Sequence, residues 1–135
     1  YVVIDDTLSG YSDGSIQKDG DSFKIVISPY QSETRRNFTI AHELGHLFLH
    51  MGYKIDNELW EKQDERTYYR NGSSIEEYEA NEFAAALLMP EKEYKIVLDR
   101  YTNEDIVDTY SIANYFNVSI NAATNRGRFL GYLQW

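Results

Sequence analysis

Phe38-Thr39-Ile40-Ala41-His42-Glu43-Leu44-Gly45-His46-Leu47-Phe48-Leu49-His50 is the stretch from which the rest of the chain can be read. It contains H-E-x-x-H, and on a helix that spacing sets two imidazoles one turn apart with a carboxylate between them, the arrangement by which a protein holds a catalytic zinc. At about 100° per residue, Thr39, His42, Glu43, His46 and His50 fall in one strip roughly 100° wide. The surrounding positions are apolar or small. They predict a helix over 32–50, buried nearly all round, with a single polar stripe. Buried polar groups need partners, and a metal would pair this set. Gly45 costs a helix about 1 kcal/mol relative to alanine, so its presence predicts a close neighbour there. All three histidines of the chain lie within nine positions of this segment.

Zinc in a hydrolase takes three protein ligands and keeps a fourth position open. Gly52 stands where the metzincin pattern needs histidine, which excludes that class. His50 lies roughly 80° round from His42 and two turns on, too far along to converge with the other two, and reads as a polar side chain near the helix end. The stretch from Glu76 to Leu88 before Met89-Pro90 is rich in helix formers. It predicts a helix over 75–89, with Ser73 or Ser74 as the cap and Pro90 as the stop. On that helix Glu77 shares a stripe with Ala80, Asn81, Ala84 and Leu88, within the apolar arc that Phe83 and Leu87 extend, while Glu79 and Glu82 point the other way. A carboxylate centred on a buried face needs a partner. Glu77 is therefore the candidate third ligand, and Asn81, one turn on, is placed to support a ligating side chain. Two alternatives stay open: Ser74 and Glu77 form a capping box, or Glu79 replaces Glu77 as ligand.

With these residues in hand, the chain resembles the ImmA/IrrE family of metallopeptidases, part of the zincin-like group. The matching segments are R-R-N-F-T-I-A-H-E-L-G-H-L-F-L-H at 35–50, Y-R-N-G-S-S at 69–74 and E-Y-E-A-N-E-F-A-A-A-L-L-M-P at 77–90. A weaker match follows in I-A-N-Y-F-N-V-S-I-N-A-A-T-N-R at 112–126. The resemblance implies an α+β fold, a short antiparallel or mixed sheet packed on an active-site helix and a glutamate-bearing helix, with C-terminal helices. Carried over by position, it implies His42, His46 and Glu77 as Zn2+ ligands and Glu43 as catalytic base of a zinc metalloendopeptidase. It also implies a bacterial or mobile-element setting and a protein substrate, a helix-turn-helix repressor inactivated by cleavage at one site. The alternative is a zinc-containing regulatory module that inactivates a repressor without cutting it.

Composition fits a small soluble enzyme. At 135 residues the chain is expected to form one domain over 1–135. No run approaches the roughly 18 apolar residues of a membrane span. No signal peptide is visible, although the chain opens on Tyr1 rather than methionine, which leaves room for an upstream segment. The absence of cysteine rules out thiolate ligands and fits a reducing cytoplasm. Thirteen basic against twenty-two acidic side chains give a net charge of -9, which repels phosphate backbones, so no direct nucleic-acid partner is expected.

Along the chain, Tyr1 to Asp5 and Phe23 to Ser28 read as short strands separated by a turn region from Ser9 to Ser22, which makes 1–28 a segment of strands and turns. Phe23 to Ser28 is the candidate edge strand for binding an extended substrate by strand addition. Met51 to Ser74 reads as a long irregular connection, with a turn or two of helix near Glu58 to Glu65, that could act as a lid. Helices are expected at about 91–100, 103–116 and 119–128, the last capped by Ser119. The final pair has the look of a helix-turn-helix, but from Thr102 to Trp135 two arginines stand against three acids, so the pair is expected to complete the core.

Overall fold

The computed structural model describes residues 2–4, 13–64, 67–68 and 74–135. By compactness the chain divides into two units, Tyr1–Ala84 and Ala85–Trp135. The first contains β1 (Val2–Ile4), β2 (Gly14–Asp19), β3 (Ser22–Ile27), α1 (Glu33–Leu49), α2 (Asn57–Lys62) and β4 (Thr67–Tyr68). The boundary falls within α3 (Ser74–Leu88), and the second unit continues with α4 (Glu91–Arg100), β5 (Thr102–Asn103), β6 (Ile106–Val107), α5 (Thr109–Phe116) and α6 (Ile120–Phe129). The architecture is α+β, that of a small zincin-like domain.

The sheet of the first unit runs β1-β3-β2-β4, with β1 parallel to β3 and the other two pairings antiparallel. This corrects two expectations. Gly14–Asp19, read as part of a turn region, is a strand, and its Ile16 is fully buried. Its one large apolar side chain and its glycine hide it from a hydropathy reading. That glycine is needed because α1 packs on the strand: a Cβ at Gly14 would stand 2.7 Å from Thr39 Cγ2. The second correction concerns β3. It lies between β1 and β2, paired with β2 along its length and with β1 over Ile25 to Ile27, so it is an interior strand of the sheet and not the edge strand expected for an extended substrate. Among the described residues, β1 and β4 are the outer strands.

Helix α1 begins where Ser32 Oγ accepts from the Arg35 N–H at 3.3 Å, with Glu33 favourably placed in the first turn. Its approach from β3 is pinned by Gln31, whose Nε2 donates to the Asp13 and Ser28 carbonyls, each at 3.0 Å, while Thr39 Oγ1 donates to Gln31 Oε1 at 2.9 Å. The helix packs Leu47 with Ile16, Ile25, Ile27, Met51 and Trp60 in one core. It is less enclosed than expected: Phe38, Ile40, Leu44 and Phe48 are half-buried and Leu49 is exposed. At Gly45 the expected close neighbour is present on α3. A Cβ there would lie 3.0 Å from Ala80 Cα and 3.2 Å from both Ala80 O and Phe83 Cβ.

Helix α2 falls within the expected irregular connection, capped by Asp56. The lid expected over 51–74 includes 65, 66 and 69–73, which lie outside the described residues, as does the side chain of Ser74.

The second unit has its own core of Met89, Tyr94, Val97, Leu98, Ile112, Ala113, Val118 and Ala123. The helix expected over 103–116 starts only at Thr109, because Glu104 and Asp105 take left-handed φ values of 53° and 66° and close a β5–β6 hairpin instead. Two consecutive positive φ values form the turn that suits hairpin twist and are incompatible with a right-handed helix. Asp108 then caps α5 by accepting from the Ser111 N–H at 3.1 Å. Ser119 caps α6 as expected. Helices α5 and α6 contribute Ile112, Ala113 and Ala123 to the core, as their composition suggested. Among the described residues, no helix is long and apolar enough to cross a membrane.

Candidate metal centre

His42 and His46 stand one turn apart on α1, with 2% and 0% of their surfaces exposed, and Glu43 beside them is fully buried. Their Nε2 atoms approach to 3.1 Å. Glu77, from the first turn of α3, brings its carboxylate to both: Oε1 lies 2.9 Å from His46 Nε2, and Oε2 lies 3.2 Å from His42 Nε2. The three ligand atoms lie within 4.8 Å of one another, a group that could hold a metal ion. The close passage of Gly45 and Ala80 makes this convergence possible, since a side chain on α1 at that point would push α3 away.

The opposite ring nitrogens are also engaged. His42 Nδ1 meets Asn81 Oδ1 at 2.8 Å, and His46 Nδ1 meets His50 Nδ1 at 2.8 Å. An amide oxygen only accepts, so His42 Nδ1 donates, and if the ring is neutral its Nε2 carries the lone pair. That lone pair faces a carboxylate oxygen at 3.2 Å. Two acceptors at that distance repel, whereas a divalent cation between them would satisfy both. The donor set therefore fits a metal of intermediate softness, with two neutral imidazoles and one carboxylate. Glu77 keeps 26% of its side chain exposed, which leaves the group a face toward solvent.

The structure brings together His42, His46 and Glu77, and it places Asn81 behind His42 as the helical-face argument anticipated. Glu79 does not join the Nε2 atoms; it is half-exposed and lies 3.5 Å from His50 Nε2. Glu77 is at the imidazoles, and the alternative cap partner Ser74 is the first residue of α3, its side chain outside the described set. What the sequence reading missed is the placement of His50. It does not converge on the Nε2 cluster, yet it is no solvated terminus, because its side chain is 8% exposed and touches the back of His46. The signal was present in the spacing: His46 and His50 repeat the four-residue interval of His42 and His46.

The family model described as the IrrE N-terminal-like domain of peptidase M78 matches residues 3–127. No curated protein matches the chain in sequence. Among solved structures, a Mycobacterium tuberculosis transcriptional regulator is similar with a TM-score of 0.59 at 21% identity, over 99% of this chain and 37% of that one. At that identity the likeness speaks for the fold alone, and this chain spans little over a third of that protein.

Proposed function

Because the chain belongs to the IrrE N-terminal-like family of M78 peptidases, we propose that it is a zinc-dependent endopeptidase that cleaves a specific protein substrate, a helix-turn-helix repressor of bacterial or mobile-element origin. The observation that carries this reading is the convergence of the His42 and His46 Nε2 atoms with the Glu77 carboxylate beside a buried Glu43. His42, His46 and Glu77 would hold the ion. When bound, zinc supplies Lewis acidity that polarises a carbonyl and acidifies water. Asn81 keeps the His42 ring turned so that Nε2, not Nδ1, faces the centre. Glu43 acts as the general base, taking a proton from water on its carboxylate and passing it to the departing amine. Burial keeps that carboxylate away from bulk solvent, which strengthens its interaction with a cation beside it.

Selectivity would rest on the partner. An acidic chain of net charge -9 is a poor ligand for nucleic acid, so the repressor and not its operator is the expected contact, in a cytoplasmic setting. Co-expression with a candidate helix-turn-helix repressor tests the reading. One discrete pair of fragments, lost with Glu43→Gln and blocked by a zinc chelator, is the expected result. The solved neighbour's description as a transcriptional regulator raises a second reading, a module that inactivates a repressor by binding. An intact repressor, tightly bound and stripped of its DNA affinity, would establish that reading in place of the first.

A further inference from the structure

We propose that His50 is a positioning residue for the metal centre: it accepts the Nδ1 hydrogen of His46 and so keeps the Nε2 lone pair of His46 aimed at the ion. The inference rests on the reading of His42, His46 and Glu77 as ligands and adds a residue that this set does not include.

With His46 as a ligand through Nε2, one set of hydrogen positions is consistent with the geometry. The 2.8 Å contact between the two Nδ1 atoms requires one donor and one acceptor. If His46 ligates through Nε2, its hydrogen sits on Nδ1, and His50 must accept there. The hydrogen of His50 is then on its own Nε2, a buried atom that makes no hydrogen bond among the described residues. Glu79 Oε1 lies 3.5 Å from that atom, too far for a hydrogen bond but close enough for its charge to favour a hydrogen at that site. The order runs from carboxylate to His50 to His46 to metal.

The other ligand supplies an internal comparison. His42 is held through Nδ1 by Asn81 Oδ1 at the same 2.8 Å. Asn Oδ1 and His Nδ1 occupy equivalent positions, each bonded to Cγ, so the two ligands are oriented by equivalent acceptors, one an amide and one an imidazole. His50 is also the C-cap of α1, with its backbone N–H bonded to His46 O. That backbone role survives any side-chain change, which allows the two roles to be separated.

The test measures zinc affinity of the whole chain by competition with a chromophoric chelator, together with melting of the metal-free protein. Losing a partner behind a metal ligand typically costs about 10–100-fold in affinity, and that loss is expected for His50→Leu. His50→Asn restores an acceptor where Nδ1 stood and should recover most of the affinity, although it has no atom to face Glu79. Nitrogen-15 shifts of the zinc-loaded wild type should place the hydrogen of His46 on Nδ1 and that of His50 on Nε2. The proposal is overturned if His50→Leu binds zinc as tightly as wild type, or if His50→Asn is as weak as His50→Leu. Should the leucine variant fail to fold, the asparagine variant and the nitrogen-15 shifts decide: weak binding by the first, or hydrogens on the opposite nitrogens, overturns it. Wild-type protein that takes up no zinc, or His46→Ala with undiminished affinity, would instead remove the ligand set itself, and His50 would lose its role with it.

Discussion

Gly45 on α1 lies against Ala80 on α3 so closely that a Cβ at 45 would stand 3.0 Å from Ala80 Cα, and this approach lets Glu77 reach His46. The atoms in the way are mostly backbone, which yields poorly. Gly45→Ala should gain about 1 kcal/mol of helix propensity and lose about 1–3 kcal/mol to overpacking. The net expectation is a lower melting temperature and weaker zinc binding, read by thermal unfolding and chelator competition. A variant that is both more stable and equally tight for zinc would mean that the crossing does not govern the site.

Glu77 and Glu79 separate the ligand from its neighbour. Glu77→Ala should weaken zinc binding by more than about 100-fold, beyond what loss of an outer partner costs. Glu79→Ala should cost less than His50→Leu, since Glu79 is half-exposed and makes no hydrogen bond to His50. Zinc titrations of the two variants check this, and equal losses would contradict the geometry.

The β5–β6 turn places Glu104 and Asp105 in left-handed backbone, where side chains with a Cβ cost about 1–2 kcal/mol per residue. Replacing the pair with Asn-Gly suits this turn. A gain of about 1 kcal/mol corresponds to a rise in melting temperature of roughly 2–4 °C, measurable by calorimetry. No rise, or a fall, would show that the turn is not strained.

Asp108 carries a pH dependence of known sign. Its hydrogen bonds to Ser111, side chain first and then backbone, hold its carboxyl below the ordinary value of 3.8. The stabilisation is therefore complete above 3.8 and is lost as pH falls through the lower folded-state value. Asp108→Ala should melt below wild type near neutral pH, and the gap should close in acid. A gap that persists unchanged at low pH would assign the effect to something other than the carboxylate.

Much of the site was legible because a helix writes its faces into the sequence at fixed intervals. His42, His46 and Asn81 could be placed from about 100° per residue, and α1 runs Glu33–Leu49 inside the expected 32–50. Position α3 was read equally well, from its helix formers and Pro90. What was not legible depends on contacts distant in sequence. β2 owes its place to pairing with β3 on one side and β4 on the other, and Gly14 looks like a turn residue until Thr39 is seen against it. The same holds for β3, whose sequence says strand but cannot say interior strand. The β5–β6 hairpin was lost because Glu and Asp are not the usual residues for left-handed turns. For His50, the sequence could say that it does not converge with His42 and His46, but not that its ring is buried against the back of His46.

Metal analysis of protein purified without chelator addresses the central claim most directly. Wild type should carry about one zinc per chain and His46→Ala should carry almost none, while Glu43→Gln should hold as much as wild type. Folded wild-type protein that contains no metal and takes up none when zinc is added would contradict the account.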